Sequence, residues 1–368
     1  MEIYLVGGAV RDDLLGYPFS EKDWVVVGAR AQDLLEQGYT PVGKDFPVFL
    51  HPDSKEEFAL ARTERKQGHG YTGFDVHAAP DVTLEEDLKR RDLTVNAMAR
   101  DPDGRLIDPY GGERDLEARV LRHVSPAFVE DPLRVLRTAR FAARYAHLGF
   151  TIAPETLALM AEIVAQGELA HLPAERVWVE TEKALREADP AVYFSVLTDC
   201  GALAALAPEL LGRGIASLEQ LSAVAASSDD SALRFAALTH GLEPAALDLL
   251  CERLKVPRRH RELALLLAAQ AGRAARARTL GSEELLVLLE AAGALRDHGR
   301  FEEFIEGAAA LAGDGFPADY LRQAREQVRD VSAAPFVAEG LKGKAIGEAM
   351  EAERLRRLDA LRRGAEKD

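Results

Sequence analysis

Residues 3–15 read IYLVGGAVRDDLL, and this stretch predicts a strand, a glycine turn and the start of a helix. Gly7 and Gly8 would let backbone N–H groups approach a phosphate, and the helix N-terminus would add positive potential. Arg11 could grip phosphate oxygens with its forked guanidinium. The stretch is therefore a candidate phosphate-binding turn, although two glycines after a strand also suit an ordinary tight turn.

Two carboxylates, Glu21 and Asp23, stand at the entrance to the next predicted strand, residues 24–27. Because residues two apart on a strand point to the same face, we expect both carboxylates side by side. Two like charges held together are costly without a cation, and Mg²⁺ prefers hard oxygen ligands. With the phosphate-binding turn, the pair predicts a metal-dependent site of phosphoryl transfer. A solvated acidic turn is the alternative interpretation.

A third pattern, EDPLRVLRTAR at residues 130–140, predicts a helix that begins near Pro132. Arginines recur along one face of it beside Asp131, at Arg134, Arg137, Arg140 and Arg144. A carboxylate accepts a hydrogen bond from an exocyclic amino group, while an arginine donates to the adjacent ring nitrogen. Cytosine and adenine share this pattern, and guanine and uracil reverse it. The helix thus predicts a protein surface that selects C and A, with a capped, salt-bridged helix as the alternative.

The composition changes along the chain. Up to about residue 110, short β-branched runs alternate with Gly, Pro and Asp, whereas from Asp115 onward Ala-, Leu-, Glu- and Arg-rich stretches carry apolar residues at helical spacing. We therefore expect an α+β head followed by all-α regions, and 368 residues are enough for two or three domains. The net charge of −15 argues against bulk coating of nucleic acid, so any RNA site must be local.

No segment approaches the roughly 20 apolar residues that span a bilayer, and the N-terminus lacks the features of a signal peptide. The expected location is therefore the cytoplasm. Cys200 and Cys251 lie in apolar, helix-like stretches, so packing is their expected role rather than a disulfide or a metal site.

Five segments occur in an order that resembles the bacterial class II tRNA nucleotidyltransferases of the polymerase β superfamily, and specifically their CCA-adding branch. These segments are residues 7–12, the acidic pair before Trp24, and residues 43–50, 61–64 and 90–97. The resemblance implies a polymerase-β-like α+β head at residues 1–115, a helical neck with base recognition at 116–210, and a helical body and tail that bind tRNA at 211–368. It also implies attack of the tRNA acceptor-end 3′-hydroxyl on CTP or ATP, with Mg²⁺ as cofactor and pyrophosphate leaving.

The resemblance also assigns roles to individual residues. It implies nucleotide binding by Gly8, Arg11, Arg91, Asp131, Arg134, Arg137 and Arg140, with Asp131 and Arg134 as the base readers. Glu21 and Asp23 are the implied catalytic metal ligands, but the family pattern is Asp-x-Asp, and Glu21 carries its carboxylate one methylene further from the backbone. We expect metal binding to persist with altered geometry or metal preference. Glu57 is either a third acid of the site or an ordinary surface glutamate.

Many relatives of this family carry a C-terminal His-Asp phosphohydrolase region. Where its His-Asp pair is expected, this sequence reads Thr239-His240-Gly241, so we expect phosphatase and phosphodiesterase activities to be absent. Three alternative functions stay open: a bacterial poly(A) polymerase, an enzyme that adds only A or only C, and a non-catalytic RNA-binding relative. The segment 340–349 and the basic helix after it are either a tRNA contact or a solvated terminal helix.

Overall fold

Strand β1 (Glu2–Val6) lies in the middle of a mixed sheet, paired antiparallel with β2 (Asp23–Val27) and β8 (Ala99–Arg100). The computed structural model describes residues 1–42, 47–66, 74–296 and 298–365. The other strands of this sheet are β3 (Thr40–Val42), β4 (Val48–Leu50), β5 (Glu57–Leu60) and β9 (Leu106–Ile107). Within the described ranges the sheet has the order β3-β4-β5-β2-β1-β8-β9, and only β2 and β5 pair in parallel.

Strand β2 separates two apolar cores because successive side chains of a strand point to opposite faces. Val25 packs with Val6 and Leu88 on one face, whereas Val26 packs with Leu34 on the other. Four helices accompany the sheet: α1 (Gly8–Leu15), α2 (Ala31–Glu36), α3 (Leu84–Lys89) and α4 (Gly112–Glu117). Because Val6 at the end of β1 pairs with Asp23 at the start of β2, the glycine turn and the acidic segment lie at the same end of two neighbouring strands.

Helix α5 (Leu133–Tyr145) is the main element after the sheet, and it packs against α7 (Ala174–Leu185) and α8 (Pro190–Asp199). The same part of the chain also contains α6 (Pro154–Ala165), α9 (Ala202–Leu206) and a short pair of strands, β10 (Val120–Leu121) with β11 (Thr151–Ile152). A second short pair, β6 (Thr63–Lys66) with β7 (Phe74–His77), lies between β5 and α3 in the chain. The predicted α+β head followed by helical regions is confirmed.

The chain divides into two compact units, Met1–Leu211 and Gly212–Asp368. The helices described in the second unit are α10 (Gly214–Ala225), α11 (Ser231–Thr239), α12 (Pro244–Arg253), α13 (Arg258–Ala275), α14 (Ser282–Ala291), α15 (His298–Ala312), α16 (Ala318–Arg329), α17 (Ala334–Ala338) and α18 (Lys344–Ala365). Gly307 of α15 lets this helix pack closely against α11 and α13, because a Cβ there would lie 2.6 Å from a methyl of Leu267. Across the described ranges, no helix has the length and apolarity needed to cross a membrane.

Candidate active site

A cleft of about 770 Å³ lies within the unit Met1–Leu211, a volume suited to a nucleotide. Although the chain has a net charge of −15, ten arginine or lysine side chains and six carboxylates line this cleft. The structure brings all the predicted site residues to its walls, namely Gly8, Arg11, Glu21, Asp23, Arg91, Asp131, Arg134, Arg137 and Arg140. Glu57 lines the cleft as well. The predicted phosphate, metal and base sites thus share one cavity.

The glycine turn after β1 lets an arginine lie directly against the backbone. Gly7 has φ of 70°, and a Cβ at this position would lie 2.7 Å from Nη1 of Arg91. Any side chain here would therefore both strain the turn and displace the arginine. Because α1 begins at Gly8, its first N–H groups and the Arg91 guanidinium lie together at the cleft wall, and both attract anions.

Arg11, in the first turn of α1, is 3% exposed and is held by the protein. Its Nε and Nη2 donate to the Asp12 carboxylate at 2.8 and 3.0 Å, and its Nη1 donates to Asn96 Oδ1. The guanidinium also lies over the rings of Phe141 and Tyr145, 5.0 and 5.1 Å from their centroids. The fork that the sequence offers to phosphate is therefore engaged by Asp12, and Arg11 links α1 to α5.

Glu21, Asp23 and Glu57 form the acidic end of the cleft. Asp23 begins β2 and lies opposite Glu57 of β5 in the parallel pairing. Partial burial in the cleft raises the pKa of Asp23 above its usual value, Arg91 opposes that shift, and the negative charge of Glu21 adds to it. Burial and the charge of Glu21 thus disfavour the ionised form of Asp23, and a bound cation would favour it.

Divalent-metal binding suits this acidic end, because carboxylate oxygens are the hard ligands that Mg²⁺ prefers. Among the residues that the structure describes, no group of three or more His, Cys, Asp or Glu side chains forms a preassembled metal cage. This is compatible with a site in which one or two carboxylates hold the ion and substrate phosphates complete its coordination shell. The donor set fits the predicted metal, and Glu21 and Asp23 are its candidate ligands.

Asp92 connects the sheet to the arginine-rich helix. It is 6% exposed, and its carboxylate accepts hydrogen bonds from Arg137 Nε at 2.8 Å and from Asn96 Nδ2 at 2.9 Å. Burial alone would raise the pKa of Asp92, but Arg137, the Asn96 hydrogen bond and Arg134 together hold it well below its usual range. Asp92 is thus an ionised buried carboxylate that fixes the direction of Arg137.

Asp131 and Arg134, the predicted base readers, lie at the start of α5. The Asp131 Oδ1 accepts from the Leu133 N–H at 3.0 Å, which caps the first turn of the helix. Arg134 is 7% exposed and donates to the backbone carbonyls of Ala127 and Arg90, at 2.9 and 2.6 Å. Its guanidinium therefore has a fixed position next to the 90–92 segment.

Further along α5, Arg140 and Arg144 are held by acids from other elements. Arg140 donates to Glu180 Oε2 at 2.8 Å and to Glu187 Oε1 at 3.3 Å. Arg144 donates to Asp12 Oδ2 at 3.2 Å. Three arginines of this face, Arg137, Arg140 and Arg144, thus pair with carboxylates, whereas Arg134 is held by backbone carbonyls. Both interpretations of the helix, a salt-bridged face and a cleft wall, describe part of it.

Sequence reasoning missed the acids that hold these arginines. Arg144 and Asp12 are 132 residues apart, and Arg140 and Glu180 are 40 apart, so no local pattern joins them. Asp87 was also missed, although it stands three and four residues before two cleft arginines, a spacing that brings side chains together on a helix. That spacing was the one available signal.

Some predicted features fall outside the site or outside the described residues. Positions 43–46 of the 43–50 segment and the side chain of Glu64 are not among the described residues, whereas residues 48–50 form β4 and Val48 lines the cleft. His240 follows α11, and burial together with Arg213 lowers its pKa. No metal-binding group of three or more side chains includes His240 within the described ranges.

The chain matches two family descriptions, "Poly A polymerase head domain" at residues 3–122 and "Probable RNA and SrmB- binding site of polymerase A" at residues 149–212. A CCA-adding enzyme of Pseudomonas putida is 55% identical over 99% of this chain and 100% of its own length. A Multifunctional CCA protein of Thioalkalivibrio sulfidiphilus is 51% identical over 98% of this chain and 99% of its own. The solved structure of a CCA-adding enzyme, apo form II, shares the fold with a TM-score of 0.72 at 24% identity, covering 97% of this chain and 88% of that one.

Proposed function

This chain belongs to the family of CCA-adding enzymes, and we propose that it builds the CCA end of tRNA in the cleft, from CTP and ATP, with release of pyrophosphate. The observation that carries the proposal is the presence in one cleft of a carboxylate pair, an arginine-backed glycine turn and an arginine-rich helix face. Nucleotidyl transfer needs these three parts, because it has to hold a metal ion, a triphosphate and a base in one geometry.

Asp131 and Arg134 are the proposed base readers. Asp131 Oδ1 is engaged by the Leu133 N–H, which leaves Oδ2 to accept from an exocyclic amino group. Arg134, fixed by two carbonyls, would donate to the adjacent ring nitrogen. Cytosine and adenine both present an amino donor beside a ring acceptor, so one fixed pair of protein groups admits both and disfavours uracil and guanine.

Arg91 and the first N–H groups of α1 would bind the triphosphate, and Glu21 and Asp23 would hold Mg²⁺. When bound, the ion supplies the positive charge that favours deprotonation of the attacking 3′-hydroxyl and stabilises the leaving pyrophosphate. The protein side chains contribute orientation: the fixed arginines of α5 hold the base, so that the α-phosphate stays aligned with the 3′-hydroxyl of the tRNA. No covalent intermediate with the enzyme is needed.

We further assign residues 1–115 to the nucleotidyltransferase head, 116–210 to the base-recognition neck, and 211–368 to a body and tail that bind tRNA. The match of residues 149–212 to an RNA-binding description supports RNA contact in the neck. In the tail, α18 carries Arg354, Arg356, Arg357, Arg362 and Arg363, which would suit phosphate contact.

The proposal is tested with tRNA that lacks CCA, purified full chain and each labelled nucleotide, followed by sequencing of the product. We expect two C residues and one A to be added, with UTP and GTP excluded. A homopolymer of A would identify a poly(A) polymerase, and addition of a single kind of nucleotide would identify an A-only or C-only enzyme. No incorporation with Mg²⁺ or Mn²⁺ would favour a non-catalytic RNA-binding protein.

We also propose that this chain lacks the phosphohydrolase activities that the His-Asp region gives to many relatives. The support is the His240-Gly241 sequence where a His-Asp pair is expected. The test is hydrolysis of 2′,3′-cyclic nucleotides by the purified chain with Ni²⁺ or Mg²⁺, for which we expect no metal-dependent rate above the protein-free control. Metal-dependent hydrolysis that EDTA abolishes would overturn this proposal.

A further inference from the structure

Asp87, near the end of α3, is a fully buried carboxylate that does not line the cleft but contacts three arginines that do. Its Oδ1 accepts from Arg90 Nε and Nη2, at 3.0 and 2.8 Å, and from the backbone N–H of Arg62 at 3.3 Å. Its Oδ2 accepts from Arg91 Nη2 at 3.3 Å. One buried anion therefore joins Arg62, Arg90 and Arg91.

Arg91 is confined from a second side and has a donor, Nε, without a partner among the described residues. A Cβ on Gly7 would lie 2.7 Å from its Nη1, so the guanidinium packs against the glycine turn. Its Nε is buried and has no hydrogen-bond partner in the part of the chain that the structure describes. Buried donors without a partner are rare, and a bound anion would satisfy this one.

Arg91 shares the cleft with a second carboxylate, Asp23. Arg91 acts electrostatically on Asp23, a candidate metal ligand. If Asp87 lost its charge, pairing of the Arg91 guanidinium with Asp23 would become more favourable, because arginine forms strong charge-assisted hydrogen bonds with carboxylates. The contact with Asp87 would thus keep Arg91 from pairing with the acidic end of the cleft.

We propose that Asp87 is a positioning residue that fixes Arg90 and Arg91 for the triphosphate of the incoming nucleotide. The inference rests on the proposed function, in which Arg91 binds that triphosphate. It adds a residue that never touches the nucleotide but acts through two arginines that line the cleft. Asp87 has no hydrogen bond to the described base-reading residues, and Arg134 is held by the backbone carbonyl of Arg90 rather than by the guanidinium that Asp87 contacts. We therefore expect its effect on phosphate binding.

The experiment compares binding of CTP and CMP to the full chain without tRNA, by calorimetry, in Mg²⁺ buffer and in EDTA. Asp87→Asn keeps the shape of the side chain and removes its charge. We expect it to raise the Kd of CTP about ten- to a hundred-fold, the usual consequence of misplacing a charged ligand contact. The Kd of CMP should change less than about threefold, because CMP lacks the two phosphates that the positioned arginines bind.

Asp115→Asn is the matched control. Asp115 is equally buried in the same unit and accepts from Thr94 Oγ1 at 2.8 Å and Arg122 Nε at 3.1 Å, but it does not line the cleft or contact its arginines. It should lower stability and leave the ratio of the CTP and CMP Kd values unchanged.

If Asp87→Asn alone does not fold, Arg90→Gln is compared with Asp87→Asn/Arg90→Gln. The double variant removes a cation together with the anion, so the buried charge is better balanced. The difference in Kd between these two variants then measures the effect of Asp87 on Arg91 alone. We expect the double variant to bind CTP more weakly than Arg90→Gln, with little change in the Kd of CMP.

An equal rise in both Kd values would show that Asp87 only maintains the fold, and no rise in either would remove its role altogether. Both results overturn the inference. Failure of the proposed function looks different: the unaltered chain would then bind CTP no more tightly than CMP.

Discussion

The charged side chains at the two ends of the cleft differ in whether other protein groups hold them. At the acidic end, neither Glu21 nor Asp23 makes a side-chain hydrogen bond or ion pair with another described residue. At the α5 end, Arg134, Arg137 and Arg140 each donate to a protein oxygen at 2.9 Å or less. Within the described ranges the two carboxylates have no hydrogen-bond or ion-pair partner, whereas the arginines are already held in position.

The difference follows from what each end has to bind. A cation is attracted from any direction, so carboxylates that repel each other until it arrives make its binding favourable. A base edge has to be read in one direction, so the groups that read it must be fixed before it arrives. Substitutions at the acidic end should therefore lower the rate of nucleotide incorporation without lowering the free energy of unfolding. Substitutions of the arginines or of the residues that hold them should change the free energy of unfolding or the preference between nucleotides.

Asp23→Ala should have the largest effect on activity. Because it removes a candidate metal ligand, we expect incorporation of both CTP and ATP to fall by more than about 10³-fold. The free energy of unfolding should not fall, since the repulsion from Glu21 is relieved. Incorporation, tRNA binding and urea unfolding are measured together, with Asp13→Ala as control, an exposed carboxylate of α1 that pairs with Arg100. Substantial residual turnover would contradict the metal assignment.

Asp92→Asn should have the largest effect on stability. It removes the buried charge that holds Arg137, and we expect the free energy of unfolding to fall by about 2–4 kcal/mol at pH 7. The two tryptophans, Trp24 and Trp178, both lie in the unit Met1–Leu211, so their fluorescence reports on its unfolding. A loss no larger than that caused by Asp13→Asn would mean that the Asp92–Arg137 pair contributes little.

The same variant has a defined pH dependence. Because the pKa of Asp92 is lowered in the folded chain, its ionised form stabilises the fold above about pH 4, the usual aspartate value. That stabilisation is lost as the pH falls toward the lower folded pKa. The difference in unfolding free energy between the unaltered chain and Asp92→Asn should therefore shrink below about pH 4. A difference that stays constant into that range would contradict the lowered pKa.

Asp131→Asn should change selectivity more than stability. The amide oxygen can keep the cap on the Leu133 N–H, while the amide nitrogen would present a donor to the base in place of an acceptor. We expect the preference for CTP over UTP to fall by roughly ten- to a hundred-fold, the usual range for one base-edge contact. Competition between the two nucleotides on tRNA lacking CCA measures it. An unchanged preference would exclude Asp131 as a base reader.

Short-range patterns allowed much of this cleft to be predicted. The strand–turn–helix of residues 3–15 and the arginine spacing of α5 follow from periodicities within about ten residues. Arg91 is implied only by the family resemblance, and it lines the same cleft as the residues predicted from these patterns. The α+β head and helical remainder follow from the change of composition near Asp115. The roles of these residues stay predictions until they are tested.

The pairing of charges could not be predicted in the same way. Arg11 has the spacing of a phosphate ligand, but Asp12 and Asn96 engage it, and Tyr145 donates to Asp12 at 2.6 Å from 133 residues away. Which acid meets which arginine depends on how α1, α5 and α7 pack. Sequence alone gives the number of charges at the site but not which of them the protein itself neutralises.

One conservative substitution at each end gives the smallest effects and tests the contrast most directly. Glu21→Asp moves a carboxylate that has no hydrogen-bond partner among the described residues, so kcat/KM for CTP should change less than about threefold. Arg137→Lys keeps the charge but loses the Nε held by Asp92 at 2.8 Å, and we expect a fall of roughly tenfold, equivalent to one charged hydrogen bond. Both are measured in Mg²⁺ and in Mn²⁺, because a changed metal preference would be specific to Glu21. If Glu21→Asp had the larger effect in Mg²⁺, the acidic end would be positioned as strictly as the arginine face, and the two ends would not differ in the way that their contacts indicate.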